Sequence, residues 1–224
     1  ERGNFFSLWI SWRHTMKLTP EIIIERLNSQ PDDPSPIRGD HDLNPDMHTT
    51  KNLISAAVLV GLVKHPGEIS VLLTQRTDHL QHHPGQVSFP GGHSDPRDDS
   101  PEETALRETE EEVGLHRRNI KPIGRLGEYV TRTGFSITPV VAFIAPPFKI
   151  CHDPFEVEEV FEVPLKFLLD PANHKRHRRK SDGHTREFHA MAFKGYYIWG
   201  ATAGMLINLY EVLHLKLYDF FSPI

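Results

Sequence analysis

Apolar and polar positions along the 224-residue chain divide it into short periodic runs. Residues 20–29 carry Ile23, Ile24 and Leu27 at helical spacing behind Thr19-Pro20, an N-cap followed by proline at the first helical position. A Pro- and Asp-rich stretch from Gln30 to Thr50 reads as a linker or extended arm. Two strand-like runs follow, Ser55 to Val63 and Ile69 to Gln75, separated by His65-Pro66-Gly67. Further strands are predicted at Ile123 to Val130, at Ile137 to Ile144, and in a hairpin of Phe188 to Phe193 and Tyr196 to Trp199 turning at Lys194-Gly195. Glu156 to Glu162 fits strand or helix, Pro164 to Leu169 looks helical, and Ala201 to Leu217 has helical spacing through Leu206, Ile207, Leu209 and Leu213. Strands outnumber helices and the helices fall at the ends and between strand groups, so the expected class is α+β.

The best-defined helix starts after Asp99. Ser100-Pro101-Glu102-Glu103 combines a capping serine, proline at N1 and glutamate at N3, and Gly114 supplies a left-handed stop. Along it Glu108, Glu111 and Glu112 are three and four residues apart, so their carboxylates share one face, while Ala105, Leu106, Thr109 and Val113 suit packing on a sheet. Three like charges so placed repel one another. The arrangement is either a solvated acidic face or a site for a hard divalent cation, which prefers oxygen ligands. Arg107 can pair with Glu103 or Glu111 at helical spacing. Upstream, Phe89-Pro90-Gly91-Gly92 would let backbone approach a phosphate or metal closely.

Composition adds bounds rather than chemistry. An apolar content of 38% and a charged content of 25% fit a folded globular chain, and a formal charge of −5 argues against a stable nucleic-acid partner. Cys151 is the sole cysteine, which removes disulfide and Cys-rich zinc frameworks and leans towards a cytoplasmic setting; it reads as a small, buried or half-buried residue. The apolar run Phe5 to Trp12 is too short to span a bilayer, so no membrane partner is expected. Met16-Lys17-Leu18-Thr19-Pro20 reads like a natural start. The basic run His174 to Lys180 could attract an anion or RNA, but without interleaved aromatics it reads as an exposed loop.

Gly92, Asp98 and the run Arg107-Glu108-Thr109-Glu110-Glu111-Glu112-Val113-Gly114-Leu115 together resemble the Nudix box. Two departures stand out: Thr109 occupies a usually aliphatic position, and the left half has Asp98 for glutamate and one extra residue. Leu72-Leu73-Thr74-Gln75-Arg76-Thr77, then Gly85, then Phe89-Pro90-Gly91-Gly92 resemble the additional signature of Nudix coenzyme A diphosphatases, with Gln81 where that subgroup carries a basic residue. The resemblance covers roughly Asn52 to Leu213.

It implies an α/β/α sandwich with a mixed sheet, organised as an N-terminal extension with short helix and linker (1–50), a hydrolase domain (51–217) and a tail (218–224). It implies Mg2+ or Mn2+ held by Glu108, Glu111 and Glu112, with Arg107 orienting the glutamates and Asp98 bracing the loop. Arg76, Gly85, Phe89, Gly91 and Gly92 would meet the substrate, and Glu156, Glu158 or Glu159 would serve as general base, Glu156 first. The implied reaction cleaves the diphosphate of coenzyme A or acyl-coenzyme A to 3′,5′-ADP and (acyl-)4′-phosphopantetheine. Another nucleoside diphosphate derivative such as ADP-ribose or NADH is the alternative substrate, and a non-catalytic nucleotide-binding module the alternative of a different class. Partners are then a small-molecule substrate, with a homodimer left open.

Overall fold

The computed structural model describes residues 18–29, 38–47, 52–80, 83–181 and 183–214. The start at Met16, the signature departure at Gln81, and residues 215–217 of the last predicted helix lie outside the described residues.

Eight consecutive buried residues, Ala56 to Val63, make β2 (Ile54–His65) the centre of the molecule. Such a run, apolar on both faces, demands cover on both sides. β2 pairs in parallel with β8 (Phe135–Ile144) and antiparallel with β3 (Glu68–Arg76), the hairpin turning at Gly67. Outward from this trio lie β4 (Val87–Ser88) and β9 (Val157–Pro164) on β3, β5 (Gly91–His93) on β2, and β6 (Ile120–Arg125) and β7 (Tyr129–Val130) on β8. β7 in turn pairs with β1 (Arg38–Gly39), completing a nine-stranded mixed sheet among the described residues.

Alternation along β2 assigns its two faces. Ala57, Leu59 and Val63 pack with Leu72 against Ala105, Leu106 and Val113 of the helix Pro101–Val113. Val58, Val60 and Leu62 pack with Val71 and Leu73 against Ile23 of α1 (Pro20–Asn28) and Leu206 and Leu209 of a C-terminal helix, Ala201–His214. In chain order the helices are α1, α2 (Pro101–Val113), the single turn α3 (Leu165–Leu168) and α4 (Ala201–His214). Helices therefore cover both faces of a mixed sheet, the expected α+β, helix–sheet–helix arrangement. A second sheet of β10 (Lys175–Ser181), β11 (His184–Phe193) and β12 (Tyr196–Trp199) joins the α4 side through Met191 and Ile198.

Several expectations change in detail. The strand predicted over Ile123 to Val130 is two, β6 ending at Arg125 and β7 beginning at Tyr129, and opposite the break β8 carries Pro139, which offers no N–H to the ladder. The ambiguous segment at 156–162 is strand β9, and the basic run is strand β10 rather than a loop, held by seven residue pairs to β11. Gly91-Gly92 is the short strand β5.

Part of the predicted linker is a docked arm. Its Asp40 carboxylate accepts from the Tyr129 hydroxyl at 3.0 Å and from the Arg132 N–H at 2.8 Å, and Arg38 pairs with Glu211 at 2.7 Å. Arg26 of α1 donates to the Leu213 carbonyl of α4. Burial, reinforced by the Asp40 charge, raises the pKa of Tyr129, so its hydroxyl stays a donor. Asp40→Ala removes the acceptor of this buried hydroxyl and is expected to cost about 2 kcal/mol of stability. Urea unfolding monitored by tryptophan fluorescence measures it; an unchanged midpoint would show that the arm contributes nothing.

Candidate active site

α2 forms where local chemistry directs it. The Ser100 hydroxyl accepts from the Glu103 N–H at 3.3 Å, Pro101 occupies the first turn, and Gly114 ends the helix at φ 67°. Thr109 is buried among apolar neighbours, yet its hydroxyl is satisfied by donation to the Ala105 carbonyl at 2.6 Å. A threonine is thereby accommodated at the position where the box normally has an aliphatic side chain.

The helix's glutamates are not equivalent. Glu111 is exposed, with 60% of its side chain accessible, whereas Glu112 is 9% and Glu108 17% accessible. Glu112 accepts from the Gly91 N–H at 3.0 Å and lies 3.8 Å from the Arg76 guanidinium. Burial pushes its pKa up to about 7, against the pull of the Gly91 N–H and Arg76 and with the help of the Glu156 and Glu108 charges. Burial likewise raises Glu108, opposed by Arg107 and reinforced by Glu111 and Glu156. Glu110 turns away and is held by Arg117 at 2.8 Å.

Arg107 is the hub. Its Nε and Nη2 donate to both oxygens of Asp98 at 3.0 and 2.9 Å, and Nη2 also donates to the His93 carbonyl at 2.9 Å. Nη1 reaches Glu108 at 2.7 Å and Glu111 at 3.2 Å. Of the two partners expected for it, Glu111 is engaged and Glu103 is not; Glu103 is taken by Arg117 at 3.0 Å. Asp98 braces the loop as expected, accepting also from the Asp95 N–H and the Thr104 hydroxyl, both at 2.9 Å, and Arg107 holds its carboxyl well below the usual range.

Strand β5 explains the glycine pair. A Cβ on Gly92 would lie 2.5 Å from Glu108 Oε2, and one on Gly91 would run into the Ala57 carbonyl. Glycine is the residue that lets α2 bring its carboxylates onto this backbone. Phe89 is 2% exposed within the core, so its side chain supports Pro90 to Gly92 from beneath. Gly85 lies in the β3–β4 connection at φ 65°.

Among the three acids considered as base, Glu156 acts on both Glu108 and Glu112, from a turn fixed by Thr77 N–H donation to its carbonyl at 3.1 Å. Glu159 hydrogen-bonds with Tyr196, and Glu158 is exposed. Cys151 is exposed rather than buried. The sequence marks the Gly91-Gly92 backbone but gives no sign that the Gly91 N–H holds Glu112 or that the His93 carbonyl holds Arg107, because those contacts depend on the pairing of β5 with β2.

Among the described residues no three carboxylate, imidazole or thiolate groups converge as a ready-made metal cage. Glu108 and Glu112 instead stand desolvated and mutually repelling beside Glu111 and Glu156. That all-oxygen, anionic wall fits a hard cation that retains water and completes its shell with substrate phosphate.

The raised pKa has a consequence for stability. Unfolded glutamate ionises near 4.5 and folded Glu112 near 7, so between these values the native state binds more protons and stability falls as pH rises. Carboxylates held low, such as Asp98, act in a separate window below this one. Metal-free protein is expected to unfold at progressively lower temperature from pH 5 to about 7.5, and millimolar Mg2+ to flatten that slope. A thermal-shift series in chelator that rises with pH would contradict it.

The NUDIX domain family matches residues 53–182. The Nudix hydrolase NudL of Salmonella paratyphi B is 39% identical over 170 residues, spanning 75% of this chain and 87% of its own length, and the NudL of Salmonella typhimurium matches with the same figures. Among solved structures, the Ap4A hydrolase of C. elegans in a binary complex aligns with TM-score 0.43 and 24% identity over 51% of this chain and 82% of its own. The NUDIX domain of Shewanella oneidensis NrtR complexed with ADP ribose aligns with TM-score 0.45 and 20% identity over 75% and 90%. Among the described residues no helix is long and apolar enough to cross a membrane.

Proposed function

This chain belongs to the Nudix family, and from that membership we propose that it cleaves the diphosphate of coenzyme A or acyl-coenzyme A, releasing 3′,5′-ADP and (acyl-)4′-phosphopantetheine. That it is a Nudix hydrolase of nucleoside diphosphate derivatives follows from the family itself. The narrower substrate is supported by one observation above others: Arg76, from the Leu72 to Thr77 signature, reaches to within 3.8 Å of Glu112 in the box. Two sequence motifs of separate origin thus converge on one carboxylate.

In this reading Glu108, Glu111 and Glu112 hold Mg2+ or Mn2+. Bound there, the ion would offset the charge of the diphosphate and acidify a water. Arg76 fixes the diphosphate through paired N–H donors, and the Gly91 and Gly92 backbone leaves room for it. Arg107 holds Glu108 and Glu111 in orientation through its anchorage on Asp98. Glu156, the acid beside the cluster, accepts the proton of the attacking water. A cytoplasmic setting goes with this reading, on the single unpaired Cys151.

The test is a turnover comparison with Mg2+ and with Mn2+ over coenzyme A, acetyl-coenzyme A, ADP-ribose and NADH. Coenzyme A or its thioester should give the highest kcat/KM by at least tenfold. A preference for ADP-ribose or NADH would overturn the substrate while leaving the chemistry.

A further inference from the structure

The β10–β12 sheet carries chemistry that the carboxylate centre does not use. Its register sets His177 opposite Phe188, Trp199 opposite Ala190 and Tyr197 opposite Ala192. Strand alternation therefore collects His177, Arg179, Phe188, Tyr197 and Trp199 on one face, while Met191 and Ile198 on the other enter the core. The rings touch one another: Phe188 and Trp199 have centroids 5.4 Å apart, His177 and Tyr197 6.1 Å. The aromatics that the basic run lacks in sequence are supplied by its neighbouring strands. Of the cations on this face, Arg186 is neutralised by Asp46, while Lys175 and Arg179 form no ion pair among the described residues, and of these two it is Arg179 that lines the groove beside the sheet.

Between this sheet and the β3–β4 connection runs an open groove of about 590 Å³, lined by Gln75, Gly85, Gln86, Arg179, Tyr197 and Trp199 among others. Its volume is that of a small-molecule site. Gln75 lines the groove and the next residue, Arg76, meets Glu112, so one strand end joins the groove to the carboxylates.

We propose that this groove receives the 3′-phosphorylated adenine nucleotide half of the substrate, with the base against Tyr197 and Trp199 and the 3′-phosphate on Arg179. The assignment rests on the coenzyme A reading and adds the element that selects for it. A flat heteroaromatic ring stacks on the exposed Tyr197 and the half-buried Trp199, and a dianionic phosphate matches an unpaired guanidinium. The pantetheine arm, an uncharged chain of amides and methylenes, has nothing to offer that guanidinium. Arg179 is thus a binding and specificity residue, remote from the bond that breaks.

Two measurements test it. Calorimetric titration of the intact protein with 3′,5′-ADP and with 5′-AMP isolates the 3′-phosphate without turnover. Arg179→Gln should weaken 3′,5′-ADP about tenfold and leave 5′-AMP within about twofold. Tyr197→Ser should weaken both nucleotides alike, since the base is common to them. In turnover, Arg179→Gln should raise KM for coenzyme A about tenfold at unchanged kcat and leave dephospho-coenzyme A unaffected. Equal effects of Arg179→Gln on both members of either pair, or no effect of either variant, in protein with native circular dichroism would overturn the groove assignment even if coenzyme A is hydrolysed. Loss of 3′,5′-ADP binding in Arg179→Gln, with no coenzyme A turnover by the native protein, would retain the groove and discard the coenzyme A reading.

Discussion

Glu112→Gln is expected to lower kcat about a thousandfold, equivalent to ~4 kcal/mol of transition-state stabilisation, in a protein that folds as well as the native one. Glutamine keeps the shape and an acceptor oxygen for the Gly91 N–H, so the bond from β5 to α2 survives. What it lacks is the charge that a divalent cation requires from a carboxylate ligand. The buried, crowded setting that retains a proton on Glu112 also means the metal-free variant should be more stable than native protein at pH 8. Steady-state turnover with Mg2+ and thermal unfolding in chelator measure the two effects. Activity within tenfold of native, in folded protein, would remove Glu112 from the site.

Gly92→Ala should separate activity from stability. The added methyl meets Glu108 Oε2 at 2.5 Å, the far end of a flexible side chain, and the backbone at 92 needs no positive φ. The carboxylate can therefore move aside at a cost below about 1 kcal/mol. Moved, it no longer faces the cation, and kcat is expected to fall about a hundredfold, since misplacement by an ångström is enough for such a loss. Gly91→Ala gives the contrasting outcome: its methyl meets the fixed Ala57 carbonyl at φ 147°, so stability falls together with activity. Comparable unfolding midpoints for the two alanine variants would show that the strand yields where the geometry says it should not.

What could be read from the residues divides along the distance over which each feature is determined. α2 was legible from cap to cap because Ser100, Pro101 and Gly114 act within one turn of the backbone they control. The carboxylate spacing was legible for the same reason. Which glutamate is buried was not, since exposure of Glu111 against burial of Glu112 depends on β5, β3 and the turn at Glu156, distant in the chain. Arg107 illustrates the boundary: helical spacing offered Glu103 and Glu111, and the fold added Asp98 and the His93 carbonyl from a loop closed onto the helix. The basic run reads as a loop in sequence because its ring partners, Phe188 and Tyr197, come from strands that follow it. The alternation of Lys175 to Lys180 is invisible when every position is polar, since the period of 2 then leaves no hydrophobic trace.

The contact between Arg26 and the Leu213 carbonyl links residues 187 positions apart. A ribosome adding about 5–20 residues per second therefore leaves α1 without this partner for on the order of ten seconds or more. Once the strands of the main sheet have followed, the apolar face of Ile23 and Leu27 still waits beside a sheet that lacks α4. Nascent chains interrupted after β9 would present both surfaces at once, so the last helix completes the molecule in time as well as in space.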